Sequence, residues 1–242
     1  MENGYVGLVI WCRDSTGAQY THKSYSLLPC ENERHLPLQA VSTDDGQTAK
    51  HEEAARRAYG FWEHCLPFGT SDYLIRKGGG YYGIRFRSSK EYGNVGVVPI
   101  RDESGKLWGY QLLNQDGSKR MPKGAKTRGL FHELQEPIDG QMIGVSESYV
   151  TAATCFQLSG LPMIYAFSCA NLLPVALVVR KLYQKSHVVF FADNDRHLEV
   201  RGLANEGVLS DWNDLYRFTG EKNAKAQILN GFGAFPLTFP QC

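Results

Sequence analysis

Between residues 141 and 192 the chain changes apolar period four times in about fifty residues, and that constrains its fold more than any other feature. Gln141 to Val145 reads as a short strand, and Tyr149 to Leu158 as an apolar helix stopped by Gly160. Leu161 to Phe167 is a second strand. A helix follows to Tyr183, with Asn171 as its expected cap and Pro174 tolerated in its first turn. His187 to Ala192 is a third strand. Short loops between strands and helices in this order predict a parallel sheet with right-handed crossovers, an α/β architecture.

Such a sheet binds ligands beyond the carboxyl ends of its strands. Acidic residues stand at two of those ends: Glu147 after the first strand, and Asp193 and Asp195 after the third. Gathered carboxylates repel one another unless a cation joins them. Hard oxygen donors select Mg²⁺ or Mn²⁺, and such a site serves phosphoryl transfer. Asp211 and Asp214, in Ser210-Asp-Trp-Asn-Asp-Leu215, are further candidates for the same edge.

The charge is placed unevenly along the 242 residues, although it sums to only +1. Residues 70 to 130 hold 12 basic and 5 acidic side chains, whereas the segments on either side are net acidic. The basic set is Arg76, Lys77, Arg85, Arg87, Lys90, Arg101, Lys106, Lys119, Arg120, Lys123, Lys126 and Arg128. Tyr73, Tyr81, Tyr82, Phe86, Tyr92 and Trp108 are interleaved with it. Cations follow phosphates and aromatic rings stack on bases, a pairing suited to single strands.

The remaining elements are a strand at Gly7 to Cys12 returning at Gln19 to Tyr25, and a polar linker over 28 to 47. A helix over Thr48 to Cys65 follows. Residues 70 to 92 are irregular, and Asn94–Arg101 and Leu107–Leu113 form a hairpin joined at Asp102-Glu-Ser-Gly105. Three regions are expected: an N-terminal hairpin and linker over 1–47, a smaller basic α+β subdomain over 48–136, and the parallel-sheet domain over 137–242. The Gly78-Gly-Gly80 run lacks the lysine and hydroxyl of a Walker site and reads as a loop. His132, His187 and His197 have no metal-like spacing. Trp212 is expected to pack locally. The six cysteines form no C-x-x-C pair and read as free thiols of a reducing compartment. The N-terminus shows no basic-then-apolar leader and no stretch is long enough to span a bilayer, so a cytoplasmic protein is expected.

These residues carry a family resemblance. Met142-Ile-Gly-Val-Ser-Glu-Ser-Tyr-Val-Thr-Ala152 resembles the first motif of the Toprim domain, the catalytic fold of bacterial-type primases, topoisomerases and some nucleases. Phe167-Ser-Cys-Ala-Asn-Leu172, Phe190-Phe-Ala-Asp-Asn-Asp195 and Asp211-Trp-Asn-Asp-Leu215 resemble later motifs of plasmid and phage primases. Gly96 to Gly109 with Gly117-Ser-Lys-Arg120 is similar to the basic part of the primase core. The resemblance implies a Toprim-type sheet flanked by helices and metal-dependent synthesis of RNA primers on single-stranded DNA from ribonucleotides. It implies Glu147 as general acid/base or metal organiser, Asp193 and Asp195 as Mg²⁺ ligands, and template between the basic region and the acidic edge. Arg76, Lys77, Arg85, Arg87, Arg101, Lys119, Arg120, Lys123, Lys126 and Arg128 are the expected nucleic-acid contacts, and a separate helicase or replication protein the expected partner. The chain departs from the family at Ser148, where the family carries Gly. It also has only 15 residues between Asp195 and Asp211, where the family has another helix and strand. A catalytically impaired Toprim binding module is the alternative, and a Toprim nuclease a third reading.

Overall fold

The structure of the chain is a computed structural model that describes residues 6–11, 45–90, 93–192 and 211–231. In chain order the elements are β1 (Val6–Trp11), α1 (Asp45–Glu63), α2 (Asp72–Lys77), β2 (Arg85–Ser89), β3 (Gly93–Arg101), β4 (Leu107–Leu113), β5 (Lys119–Arg120) and β6 (His132–Glu133). They continue as β7 (Met142–Ser146), α3 (Tyr149–Ser159), β8 (Met163–Tyr165), α4 (Cys169–Leu182), β9 (His187–Ala192), α5 (Trp212–Thr219) and α6 (Glu221–Gly231).

Two sheets organise them. One has the order β2-β3-β4-β5 and is antiparallel; the other has the order β1-β9-β7-β8-β6. In the second, β1, β9, β7 and β8 run parallel and β6 is antiparallel. The expected β-α-β-α-β unit is therefore present as β7-α3-β8-α4-β9, making this a mixed α/β chain. No helix among the described residues is long and apolar enough to cross a membrane.

The pleat of the antiparallel sheet decides what its faces touch. Val95 and Val97 of β3 pack with Trp62 and Cys65 under α1. Val98 and Ile100, on the other face, join the main core with Tyr149, Tyr165, Phe191 and Trp212. Helix α1 seats itself through Ala54, Ala55, Ala58 and Trp62, which recur at helical spacing and are all buried. The β3–β4 hairpin is closed as its sequence predicts, with Gly105 at φ 81°. The Asp102 carboxylate accepts from Ser104 N (2.9 Å), Lys106 N (3.1 Å) and Trp108 Nε1 (2.7 Å). Burial works against its charge, but these donors outweigh it and hold the carboxyl below its ordinary range.

Several expectations change. Val6–Trp11 is not set apart in an N-terminal hairpin: it pairs parallel with β9, from Val6 opposite Val188 to Trp11 opposite Ala192. The expected return strand and residues 28–44 of the expected linker lie outside the described residues, and residues 45–47 of that linker instead open α1. The stretch expected to be irregular over 70–92 holds α2 and β2 within its described residues, 70–90. Helix α2 is capped by Ser71, whose hydroxyl accepts from Leu74 N, and is ended by Gly78 in the left-handed conformation at φ 68°. The glycine run thus begins as a helix stop. Strand β6 comes from the stretch assigned to the basic subdomain, yet it pairs with β8 in the other sheet. A further change concerns α4, which starts at Cys169 behind Ser168. Asn171 lies inside its first turn, where its amide donates to Thr127 O (3.0 Å), Leu130 O (3.0 Å) and Ala166 O (2.8 Å) and accepts from Gly129 N (2.8 Å). Its buried amide ties the loop before β6 to the parallel sheet instead of capping the helix.

Candidate active site at the carboxyl edge of the parallel sheet

Strand β7 delivers Glu147 to this edge. Strands β7 and β9 are neighbours in register, with Ser146 opposite Phe191, so both end on the same side of the sheet. Gly144 lets β7 pack closely, since a Cβ there would stand 2.1 Å from Met163 Sδ. After Ser146 the chain turns sharply into α3. Ser146 Oγ donates to Ser148 O (3.1 Å) and accepts from Ser148 N (3.3 Å). Ser148 has φ −117° and ψ 136°, extended backbone that any residue adopts, so the position after Glu147 does not demand glycine. Glu147 itself is half-buried. Asp193, Asp195 and His197 lie outside the described residues.

The late acidic motif is built on α5. Asp211 is its cap and accepts from Asp214 N at 2.7 Å. Trp212 is fully buried, and its ring meets Phe191 of β9 edge-on at 5.8 Å. That contact seats α5 beside the strand leading to Asp193. Asn213, also fully buried, donates to Lys77 O and Thr154 Oγ1, both at 2.9 Å. Lys77 Nζ donates to Asp214 Oδ1 at 3.1 Å. Burial, and then the charge of Asp214, push the Asp211 carboxyl up, against the hydrogen bonds of its cap and the nearby Lys77.

Two tyrosines feel the acidic groups: Tyr73, one of the aromatics interleaved with the basic set, and Tyr165, which sequence reasoning missed. Tyr73 is raised by burial and then by the charges of Asp211 and Asp214. Tyr165 is raised strongly by burial, with smaller contributions from Tyr73 and Glu147. Tyr165 donates to Gln111 Oε1, joining the two sheets. A glutamine in the otherwise apolar alternation of β4 is the one signal that could have revealed it. Among the described residues no three His, Cys, Asp or Glu side chains form a metal-binding group.

The basic residues divide by face. In β5, Lys119 pairs with Leu113 and Arg120 with Leu112, so the two project to opposite sides. Leu113 belongs to the main core, and Lys119 Nζ reaches Ser148 Oγ at 3.3 Å, next to Glu147. Arg76, on α2, donates to Gln115 O (2.6 Å) and lies 5.7 Å from the Tyr73 ring. Arg76, Lys77 and Lys119 thus border the acidic edge. Arg85, Arg87 and Arg101 stand on the α1 face. Arg85 stacks 4.6 Å and Arg101 5.7 Å from the Trp62 ring, and Arg87 lies 4.4 Å over Phe61. Arg120 shares their face by register. Lys126 covers Trp108 at 4.5 Å, and Lys123 and Arg128 are exposed. His132 is buried and bonded to Tyr82 O (2.8 Å), an ordinary structural histidine.

No family model matches the chain. It is 28% identical over 251 residues to a DNA primase TraC of Escherichia coli, an alignment covering 97% of this chain and 16% of that protein. A second Escherichia coli DNA primase TraC is 25% identical over 234 residues, covering 94% of this chain and 21% of the relative. The chain therefore spans about a fifth or less of the length of these curated relatives. Among solved structures, a DnaG primase catalytic domain bound to ssDNA superposes with a TM-score of 0.47 at 13% identity, over 76% of this chain and 80% of that one. The primase fragment of the bacteriophage T7 primase-helicase protein gives 0.46 at 11% identity, over 65% and 69%. Along nearly its whole length, this chain is similar to a segment of the TraC DNA primases.

Proposed function

We propose that the chain is a primase core that joins ribonucleotides into short RNA primers on single-stranded DNA. In this reading the smaller basic α+β unit holds template and the Toprim-type parallel sheet holds the chemistry. A ribose 3′-hydroxyl attacks the α-phosphate of the incoming ribonucleoside triphosphate, a phosphodiester forms, and pyrophosphate leaves. Glu147, Asp193 and Asp195, with Asp211 and Asp214 beside them, would hold Mg²⁺ or Mn²⁺. The described donors are hard carboxylate oxygens, the kind such an ion takes, with Asp211 and Asp214 side by side at the start of α5. When bound, the metal supplies charge neutralisation on the triphosphate and an oriented hydroxyl. Glu147, half-buried beside Lys119, organises that edge or moves the proton of the attacking hydroxyl. Lys119 and Arg76 provide cations for nucleotide and template phosphates.

The observation that carries the reading is the shared end of β7 and β9, with Lys119 of the basic sheet reaching the turn after Glu147. It accords with the similarity to DNA primase TraC. Unwinding would fall to a separate helicase or replication protein, and we place the reaction in the cytoplasm. The test is primer synthesis with single-stranded DNA, labelled ribonucleotides and Mn²⁺, beside Glu147→Gln. Short RNA made by the unmutated chain alone supports the proposal.

One observation favours a second reading, that of a binding module without catalysis. Asp214 is already paired with Lys77, and Asp211 is engaged in capping α5. In that case single-strand binding is metal-independent and salt-sensitive, and no product forms in any condition.

A further inference from the structure

The late acidic pair carries a cation of its own. Lys77 closes α2, and its ammonium meets Asp214 at 3.1 Å with the two side chains 25% and 29% exposed. Asp211 belongs to the same helix start, its carboxylate accepting from Asp214 N at 2.7 Å, so the ammonium stands at the acidic pair as a whole. The placement does not depend on a flexible stem alone. The Lys77 carbonyl accepts from Asn213, which also bonds Thr154 of α3, and Gly78 ends α2 with its N–H on Ile75 O at 3.1 Å. The backbone bearing the ammonium is thus pinned to the helix bearing the carboxylates.

An ammonium on a carboxylate relieves the same repulsion that a divalent ion would, with half the charge and no coordination geometry. Lys77 occupies Oδ1 of Asp214, and a divalent ion taken up by the same carboxylate is repelled by the adjacent ammonium. We infer that Lys77 is a resident counter-cation that competes with the divalent metal for the Asp211–Asp214 pair. It is a positioning residue: it holds α5 in place while the edge is free of metal, and metal binding at Asp214 displaces it. The inference rests on the metal reading of the edge given above. It differs from that reading by predicting that loss of a positively charged residue strengthens metal binding.

The experiment is a titration of the full chain with Mn²⁺ alone, following free Mn²⁺ by electron paramagnetic resonance. Lys77→Met and Lys77→Gln are expected to bind Mn²⁺ roughly three- to tenfold more tightly than the unmutated chain, the effect of removing one half-buried charge. Lys77→Arg, which keeps the charge, should stay within about twofold. Circular dichroism checks the fold, and the Gln variant serves if the Met variant fails to fold. Thermal melts should show both neutral variants less stable without metal and recovering at saturating Mn²⁺. Equal or weaker Mn²⁺ affinity in both neutral variants overturns the competition. If binding by the unmutated chain depends on Glu147 but ignores Lys77, only this inference fails. If no variant takes up Mn²⁺, the metal reading fails with it.

Discussion

The two faces of the antiparallel sheet carry basic residues in different ways. On the α1 face Arg85, Arg87 and Arg101 are engaged by aromatic rings and backbone carbonyls, and Lys106 by the Glu52 carboxylate of α1. Arg85 donates to Trp62 O at the end of α1 (2.7 Å) and stacks on the same tryptophan, and Arg87 lies over Phe61, itself stacked on Tyr110 at 4.2 Å. Burial, then the nearby Arg85, lower the Arg101 guanidinium. On the other face Lys77 and Lys119 are compact point charges set against oxygen atoms of the acidic edge. A planar guanidinium gains from a ring, whereas an ammonium gains from a carboxylate or phosphate. Arg85, Arg87 and Arg101 thus have a part in holding α1 to its sheet, whereas Lys77 and Lys119 face the acidic edge.

Mutations can break that contrast. The largest effect is expected at Glu147: Glu147→Gln should lower primer synthesis by at least about a hundredfold, as losing a positioned acid/base group does, with the melting temperature nearly unchanged. Trp212→Ala removes a fully buried ring between α5 and β9 and should cost about 3–5 kcal/mol in urea unfolding. Synthesis would fall there through loss of the fold, not of the chemistry.

A pH experiment comes next. Burial, and then the charge of Arg101, push His132 down to about 4, against its bond to Tyr82 O. The folded pKa lies below the unfolded value, so the unfolded chain binds more protons in between and stability falls as pH drops from about 6.5 toward 4. Roughly 1–2 kcal/mol should be lost between pH 7 and pH 5, and His132→Gln should flatten that dependence.

The smallest and sharpest comparison pairs Arg85→Ala with Lys119→Ala. The first is expected to lose about 1 kcal/mol of stability, because a helix-end carbonyl and a ring lose their partner. The second is expected to leave stability alone and to reduce the salt slope of single-strand binding by about one. Equal effects of the two variants on both readouts would erase the distinction between the faces.

Much of the parallel sheet was legible because its signals are local. The period changes over 141–192, and the stops at Gly160 and at the β3–β4 turn, are properties of short windows. The place of Glu147 at the end of β7 was legible for the same reason, since a residue after a strand in a β-α-β unit falls at the carboxyl edge of the sheet. Strand β2 was hidden although Arg-Phe-Arg alternates, because an arginine that stacks on Trp62 looks like any exposed arginine in sequence. The role of Asn171 was misread because its four partners come from residues 127, 129, 130 and 166, three of them about forty residues away.

The edge of the parallel sheet shows most plainly what tertiary structure alone decides. The short spacing between Asp195 and Asp211 suggested that the family's extra strand was lost, yet β9 has a parallel neighbour, β1, from the other end of the sequence. Strand pairing is satisfied by any chain segment with free backbone groups and the right alternation, so sequence distance does not predict it. The same holds for Lys77 and Asp214, 137 residues apart and in contact. The sequence by itself determined which residues prefer strand, helix, turn and hard-cation chemistry, since those preferences are covalent and local. Which of those residues meet was decided by packing, because burial and ion pairing act only between groups that the fold has already brought together.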